Sequence, residues 1–190
     1  MDPDLSGLDD YLDAAGCDGY LVDAPGSNAT QRYLSGFDAP DPFVTVYTPD
    51  STALLVSALE YGRARAESRA DDVSRLADYD YRSLAADHGA GEAQARVVET
   101  WLDELGIDAV ATPERFPLGP ADRLRDRGVA VDPETEDVVT EIRARKTPAE
   151  TEWIRETQRA NEAAMAAADD LLAAATVERA DDVDGTGTAG

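Results

Sequence analysis

The sequence predicts an α/β fold, a three-layer sandwich in which a mixed β-sheet carries helices on both faces. Three observations lead there. Strand-like and helix-like segments alternate along the chain, two adjacent β-rich runs are joined by a loop short enough to make a hairpin, and 190 residues are enough for one domain with an appendage. A chain of that length buries about 70% of its unfolded surface, so it folds without disulfide or metal staples.

The elements follow in order. Leu5, Leu8, Leu12 and Ala15 share one helical face and Gly16 stands where a C-terminal cap belongs, which predicts an opening amphipathic helix. Tyr20, Leu21 and Val22 form a strand ending at Asp23, and Pro25-Gly26-Ser27-Asn28 supplies turn chemistry. The hairpin pairs residues 43–47 with 52–56 across Thr48-Pro49-Asp50-Ser51. Ser57 and Glu60 have the spacing of a capping box for a helix running to about Ala66. Val97, Val98, Trp101, Leu102 and Leu105 mark a longer helix stopped by Gly106, followed by a buried strand at Ala109, Val110 and Ala111. A loop punctuated by Pro113, Pro117 and Pro120 leads to a short helix through Leu124, then Gly128 and a strand at Val129, Ala130 and Val131. Thr147-Pro148-Ala149-Glu150 combines an N-cap, a first-turn proline and a capping-box Glu. The helix it opens keeps its spacing through Trp153, Thr157, Ala160, Ala164, Ala168 and Leu171, and presents mostly alanine on its inner face.

Composition excludes several functions. Forty acidic residues against 17 basic ones give a net charge of −23, spread over the whole chain, so phosphate finds no positive face and nucleic-acid binding is not expected. Sixteen of the 17 basic residues are Arg, with Lys146 the lone Lys, and Ile occurs only at Ile107, Ile142 and Ile154. This bias is that of a protein from a salt-loving organism. Self-repulsion at such a charge is screened at molar salt, where the Debye length is about 3 Å. The first residues are acidic rather than basic and apolar, and no apolar run approaches the roughly 18 residues of a membrane span. The chain reads as cytoplasmic, with no membrane partner.

Candidate chemistry is sparse. One Cys and one His cannot make a Cys/His zinc site. His88, followed by Gly89-Ala90-Gly91, reads as a surface-loop histidine with no nucleophile beside it, and Cys17 as a small buried side chain. Gly26, Gly36 and Gly187 are isolated and build no phosphate loop. Asp181-Asp182-Val183-Asp184-Gly185 resembles the start of a calcium loop but lacks the closing Glu, and Asp78 with Asp80 is a spacing that chance supplies in so acidic a chain. No catalytic or metal-ligating residue is assigned.

Two segments carry a family resemblance. Residues 28–37, NATQRYLSGF, follow a Leu-Val strand, and residues 142–165 read IRARKTPAETEWIRETQRANEAAM. Together they resemble the N-terminal domain of creatinase, prolidase and Xaa-Pro aminopeptidase and the junction through which that family enters its catalytic domain. The resemblance covers residues 4–175. It implies a domain over residues 1–146, the first helix of a "pita-bread" catalytic domain over residues 147–176, and a flexible tail over 177–190.

Asn28 would cap a short helical turn that carries Tyr33 and Leu34 inward, with Gly36 reversing the backbone to present Phe37 and Asp38 at the surface. The resemblance places this loop edge near the active site of the adjoining subunit. Tyr33, Phe37, Asp38 and His88 are therefore candidates for substrate access or dimer contact. It further implies a homodimer, and a parent Xaa-Pro peptidase whose catalytic domain holds two divalent ions of Mn, Co or Zn type on two Asp, one His and two Glu. None of those five positions can be carried over, so this chain, ending as that domain begins, is expected not to hydrolyse peptides by itself. Two other readings stand beside this one: a binding module with a peptidase-like fold, and the N-terminal domain of a creatinase-like amidinohydrolase.

Overall fold

The computed structural model describes residues 3–175. The expected tail and the Asp181–Gly185 run lie outside them. The chain divides into two units, Met1–Arg145 and a second that begins at Lys146.

The first unit is built on a six-stranded sheet made of β1 (Gly19–Ala24), β2 (Phe43–Tyr47), β3 (Thr52–Val56), β4 (Asp72–Arg75), β5 (Ala109–Pro113) and β6 (Ala130–Glu134). Their order across the sheet is β4-β3-β2-β1-β5-β6. β1 pairs antiparallel with β2, and β2 with β3, while β3 with β4, β1 with β5 and β5 with β6 are parallel. The sheet is therefore mixed, as expected. Alternate side chains divide between two cores. Leu21, Val44, Val46, Leu55, Val110 and Val131 pack under α4 (Tyr81–His88), α5 (Ala90–Glu104) and α6 (Leu118–Arg125). Tyr20, Val22, Tyr47 and Ala111 face α1 (Ser6–Ala15), α2 (Ala29–Ser35) and α7 (Val138–Ala144), and Phe43, Leu54 and Val56 face α3 (Tyr61–Glu67).

The three parallel strands β1, β5 and β6 are launched alike. After α1, α5 and α6 a glycine is followed by a buried apolar residue, Cys17, Ile107 or Val129, whose N–H reaches back to the carbonyl of Leu12, Leu102 or Leu124 at 3.0, 2.9 and 3.1 Å. This is the Schellman closure, and its apolar arm points each outgoing chain into the core. α5 is anchored by Val97, Trp101 and Leu102, all buried.

Several details differ from expectation. The helix after the hairpin starts at Tyr61, with Glu60 as its N-cap. The Ser57 hydroxyl accepts from the Glu60 N–H at 3.4 Å, but the Glu60 carboxylate turns to Arg63 at 2.8 Å instead of closing a box. His88 is no loop residue, since it ends α4 and Ala90 and Gly91 already begin α5. α6 starts at Leu118, so Pro120 lies in its first turn, where no backbone N–H is needed. β4, α4, α7 and a 3-10 turn over Leu76–Tyr79 carry too short or too exposed an apolar period to be read in advance. β4, the sheet edge, has only Val73 as an apolar side chain, and the other edge, β6, contains Pro133, which removes a donor from an exposed ladder.

The second unit holds α8 (Pro148–Ala174). The capping box is complete: the Thr147 hydroxyl accepts from the Glu150 N–H at 3.2 Å, and the Glu150 carboxylate accepts from the Thr147 N–H at 2.8 Å. None of its 27 residues is buried, and Trp153, Ile154, Met165, Leu171 and Leu172 are exposed.

Candidate functional site

The segment from Pro25 to Pro42 leaves β1, forms α2 and returns as a strap to β2. Its conformation is fixed from within. The Asn28 side-chain oxygen accepts from the N–H groups of Thr30 and Gln31, both at 3.0 Å. Gln31 is fully buried, and its amide donates to the Phe43 carbonyl at 2.7 Å, tying α2 to the first residue of β2. The Ser35 hydroxyl donates to the Gln31 carbonyl at 2.7 Å and accepts from the Phe37 N–H at 3.0 Å. The strap closes where the Gly26 N–H donates to the Ala39 carbonyl at 2.8 Å. A Cβ at Gly26 would stand 2.5 Å from the Ala39 nitrogen, so only glycine fits there without moving the backbone. Gly36 adopts φ +67° to turn the chain.

Three arginines hold this strap from outside. Arg32 pairs with Asp38 at 3.0 Å. Arg63 donates to the Asp38 carbonyl at 3.2 Å, lies 5.3 Å above the Phe37 ring and pairs with Glu60 and Glu67. Arg69 donates through its guanidinium to the Tyr33 carbonyl and through its N–H to the Ser35 carbonyl at 2.8 Å. Exposed pairs of this kind contribute about 0–1 kcal/mol each; their effect is to fix a shape.

The structure thus brings Tyr33, Phe37 and Asp38 together and leaves His88 apart, exposed on α4, which covers the opposite face of the sheet. Asp38 is exposed and Tyr33 half-buried, but Phe37 is not at the surface. Its ring is fully buried, edge to face with Phe43 at 5.4 Å, beneath the Arg63 guanidinium. The backbone reverses at Gly36 as expected; the ring turns under the strap because its apolar surface gains more from the core than from water.

A second feature was not foreseen. A cavity of about 550 Å³ opens on the other face, between the end of β1, the start of β2, the loop that follows β5 and the start of α5 and α6. Leu21, Val44, Val98, Phe116 and Leu124 form its apolar walls, and Asp23 is the one charged residue lining it among the described residues. The Asp23 carboxyl is hydrogen-bonded to Gln94, and burial pushes it above the ordinary carboxylate range, with Gln94 pulling the other way. An Asp at the end of an apolar strand was the only sequence signal for it.

Elsewhere the polar chemistry is structural. Cys17 is a buried free thiol whose titration burial pushes up, with Asp132 adding to the shift, which disfavours the thiolate. The Tyr20 hydroxyl faces buried Glu134 at 3.5 Å, and Tyr47 donates to Asp9 at 2.6 Å. Among the described residues no three His, Cys, Asp or Glu side chains are grouped to hold a metal ion. No helix among them is long and apolar enough to cross a membrane.

Comparison with known proteins places this geometry. Residues 5–144 match the family model of the creatinase/prolidase N-terminal domain. The fold is similar to that of the prolidase from Pyrococcus furiosus, at 19% identity and a TM-score of 0.59 over 87% of this chain and 46% of that one. It is likewise similar to the prolidase from Pyrococcus horikoshii OT3, at 22% identity and a TM-score of 0.57, over 87% of this chain and 42% of that one. A proline dipeptidase chain from Streptococcus pneumoniae TIGR4 is matched over 99% of its length and 76% of this chain, at 18% identity and a TM-score of 0.53. The chain thus spans less than half the length of the two archaeal prolidases. No curated protein gives a significant match.

Proposed function

The chain belongs to the creatinase/prolidase N-terminal domain family, and from that membership we propose that it serves as the non-catalytic N-terminal domain of an Xaa-Pro peptidase. The observation that carries the reading is the position of the family match. It ends at residue 144, just ahead of the Thr147–Glu150 capping box, after which α8 runs for 27 residues with none buried. Trp153, Ile154, Met165, Leu171 and Leu172 are the side chains that a following catalytic domain would cover. The two divalent ions of the parent enzyme would sit in that domain and activate water there.

In this reading the domain narrows the substrate entrance and contributes to a homodimer. Tyr33 and Asp38 take the access role on a strap that Gly26, Gly36 and the three arginines hold rigid, with Phe37 supporting it from below, and His88 is a candidate for contact between copies. The parent is a cytoplasmic enzyme of a salt-adapted cell. Peptidase chemistry is preferred to creatinase-like amidinohydrolysis because solved structures similar in fold include prolidases and an Xaa-Pro aminopeptidase.

A direct assay tests the reading. The purified 190-residue chain, incubated with Mn²⁺ or Co²⁺ and a Gly-Pro dipeptide in high salt, is expected to release no proline. Metal-dependent release that survives further purification would refute it.

A further inference from the structure

The cavity beside Asp23 has the position and chemistry of a ligand site. β1 and β5 run parallel and end side by side, but β1 sends its chain to α2 on one face and β5 to α6 on the other. Divergence of this kind opens a crevice beyond the strand ends, and open α/β sheets commonly bind ligands there. At about 550 Å³ the space is that of a small organic molecule. Tyr81, Phe116 and Pro117 offer it apolar surface, above buried Leu21 and Val98.

The charge selects the ligand class. Among the described residues Asp23 is the one charged residue on the lining, and its carboxyl hydrogen-bonds to the neutral amide of Gln94. A half-buried carboxylate with a neutral partner keeps unspent capacity for a cation. The net charge of −23 raises the local concentration of cations further. A neutral apolar molecule would leave the Asp23 carboxylate without a charged partner.

We infer that this cavity binds a small hydrophobic amine, its ammonium group on the Asp23 carboxylate and its apolar body against Tyr81, Phe116 and Pro117. The two ends of the strap, Pro25 and Pro42, border the site, which does not depend on peptidase chemistry.

Cyclohexylamine is the probe, titrated by calorimetry into the full chain at fixed ionic strength, with cyclohexanol and cyclohexanecarboxylate of matching shape as controls. The amine is expected to bind saturably, with cyclohexanol about tenfold weaker or more and the carboxylate not binding, since a hydrogen bond to a charged group carries at least that discrimination. Asp23→Asn, which preserves shape, is expected to weaken the amine about tenfold and leave cyclohexanol unchanged. Ala90→Phe, at an exposed position on the lining, is expected to crowd out both while the fold persists. Equal affinity for amine and carboxylate, undiminished amine binding by either variant, or no saturation would overturn the inference.

Discussion

Gly26 and Gly36 act on the strap through different physics, and their alanine variants should separate the two. At Gly36 the cost is the left-handed backbone, about 1–2 kcal/mol, and the Arg69 side chain 2.9 Å from the new Cβ can swing aside. At Gly26 the obstacles are the Ala39 nitrogen and the Asp38 Cα at 2.5 and 2.7 Å, so the strap itself must move. Overpacking of that sort costs about 1–3 kcal/mol. Urea unfolding should therefore show Gly26→Ala at least as destabilising as Gly36→Ala, with Gly26→Ala alone altering the chemical shifts of residues 37–42. Asp23 gives a pH signature. Because burial raises its folded value, the folded chain holds more protons than the unfolded one as pH rises above the ordinary 3.8, so this group favours folding most below that value and progressively less above it. Asp23→Asn should be the more stable protein near neutrality, and its advantage should vanish as pH falls toward 4. Asn28 as a cap and Gly36 as a reversal were legible because each role is local. Phe37 was not, because what covers it is Arg63, which no spacing links to it.

Helices whose ends carry a glycine stop or a capping box were legible in the sequence, while α4 and α7 were not. Gly16 and Gly106 marked the ends of α1 and α5, and the Thr-Pro-Ala-Glu run marked the start of α8. α4 begins after Asp80 in a left-handed conformation with no side-chain cap, and α7 follows Asp137 in the same way, so neither start carries a sequence signal. β4 depends on pairing with β3, which its own four residues cannot reveal. Removing a cap should cost accordingly. Asn28→Ala is expected to lower the stability of the first unit by about 1 kcal/mol, read by denaturant unfolding, since two N–H groups lose their acceptor. Hydrogen exchange should divide the helices sharply. Amides of Val98, Trp101 and Leu102 in α5 should be protected close to the global stability, while the middle of α8, with no buried residue, exchanges at the rate of an isolated helix.

On the scale of the whole molecule the charge and the family membership make separable predictions. A net charge of −23 should make the melting temperature rise as KCl increases from 0.1 to 2 M, steeply at first and then more slowly once the Debye length falls to a few ångströms. A flat salt dependence would contradict salt adaptation and leave the fold untouched. The sandwich itself was legible because alternating periods and a hairpin dictate a mixed sheet. The cavity was not, because it arises where β1 and β5 diverge, a property of topology rather than of any segment. The central claim, that this is the accessory domain of a two-metal peptidase, is tested most directly by sequencing the gene beyond the codon for Gly190. The account predicts an open frame that extends α8 into a domain containing two Asp, one His and two Glu as the metal ligands. A frame that stops at Gly190, or continues without those five residues, would contradict it.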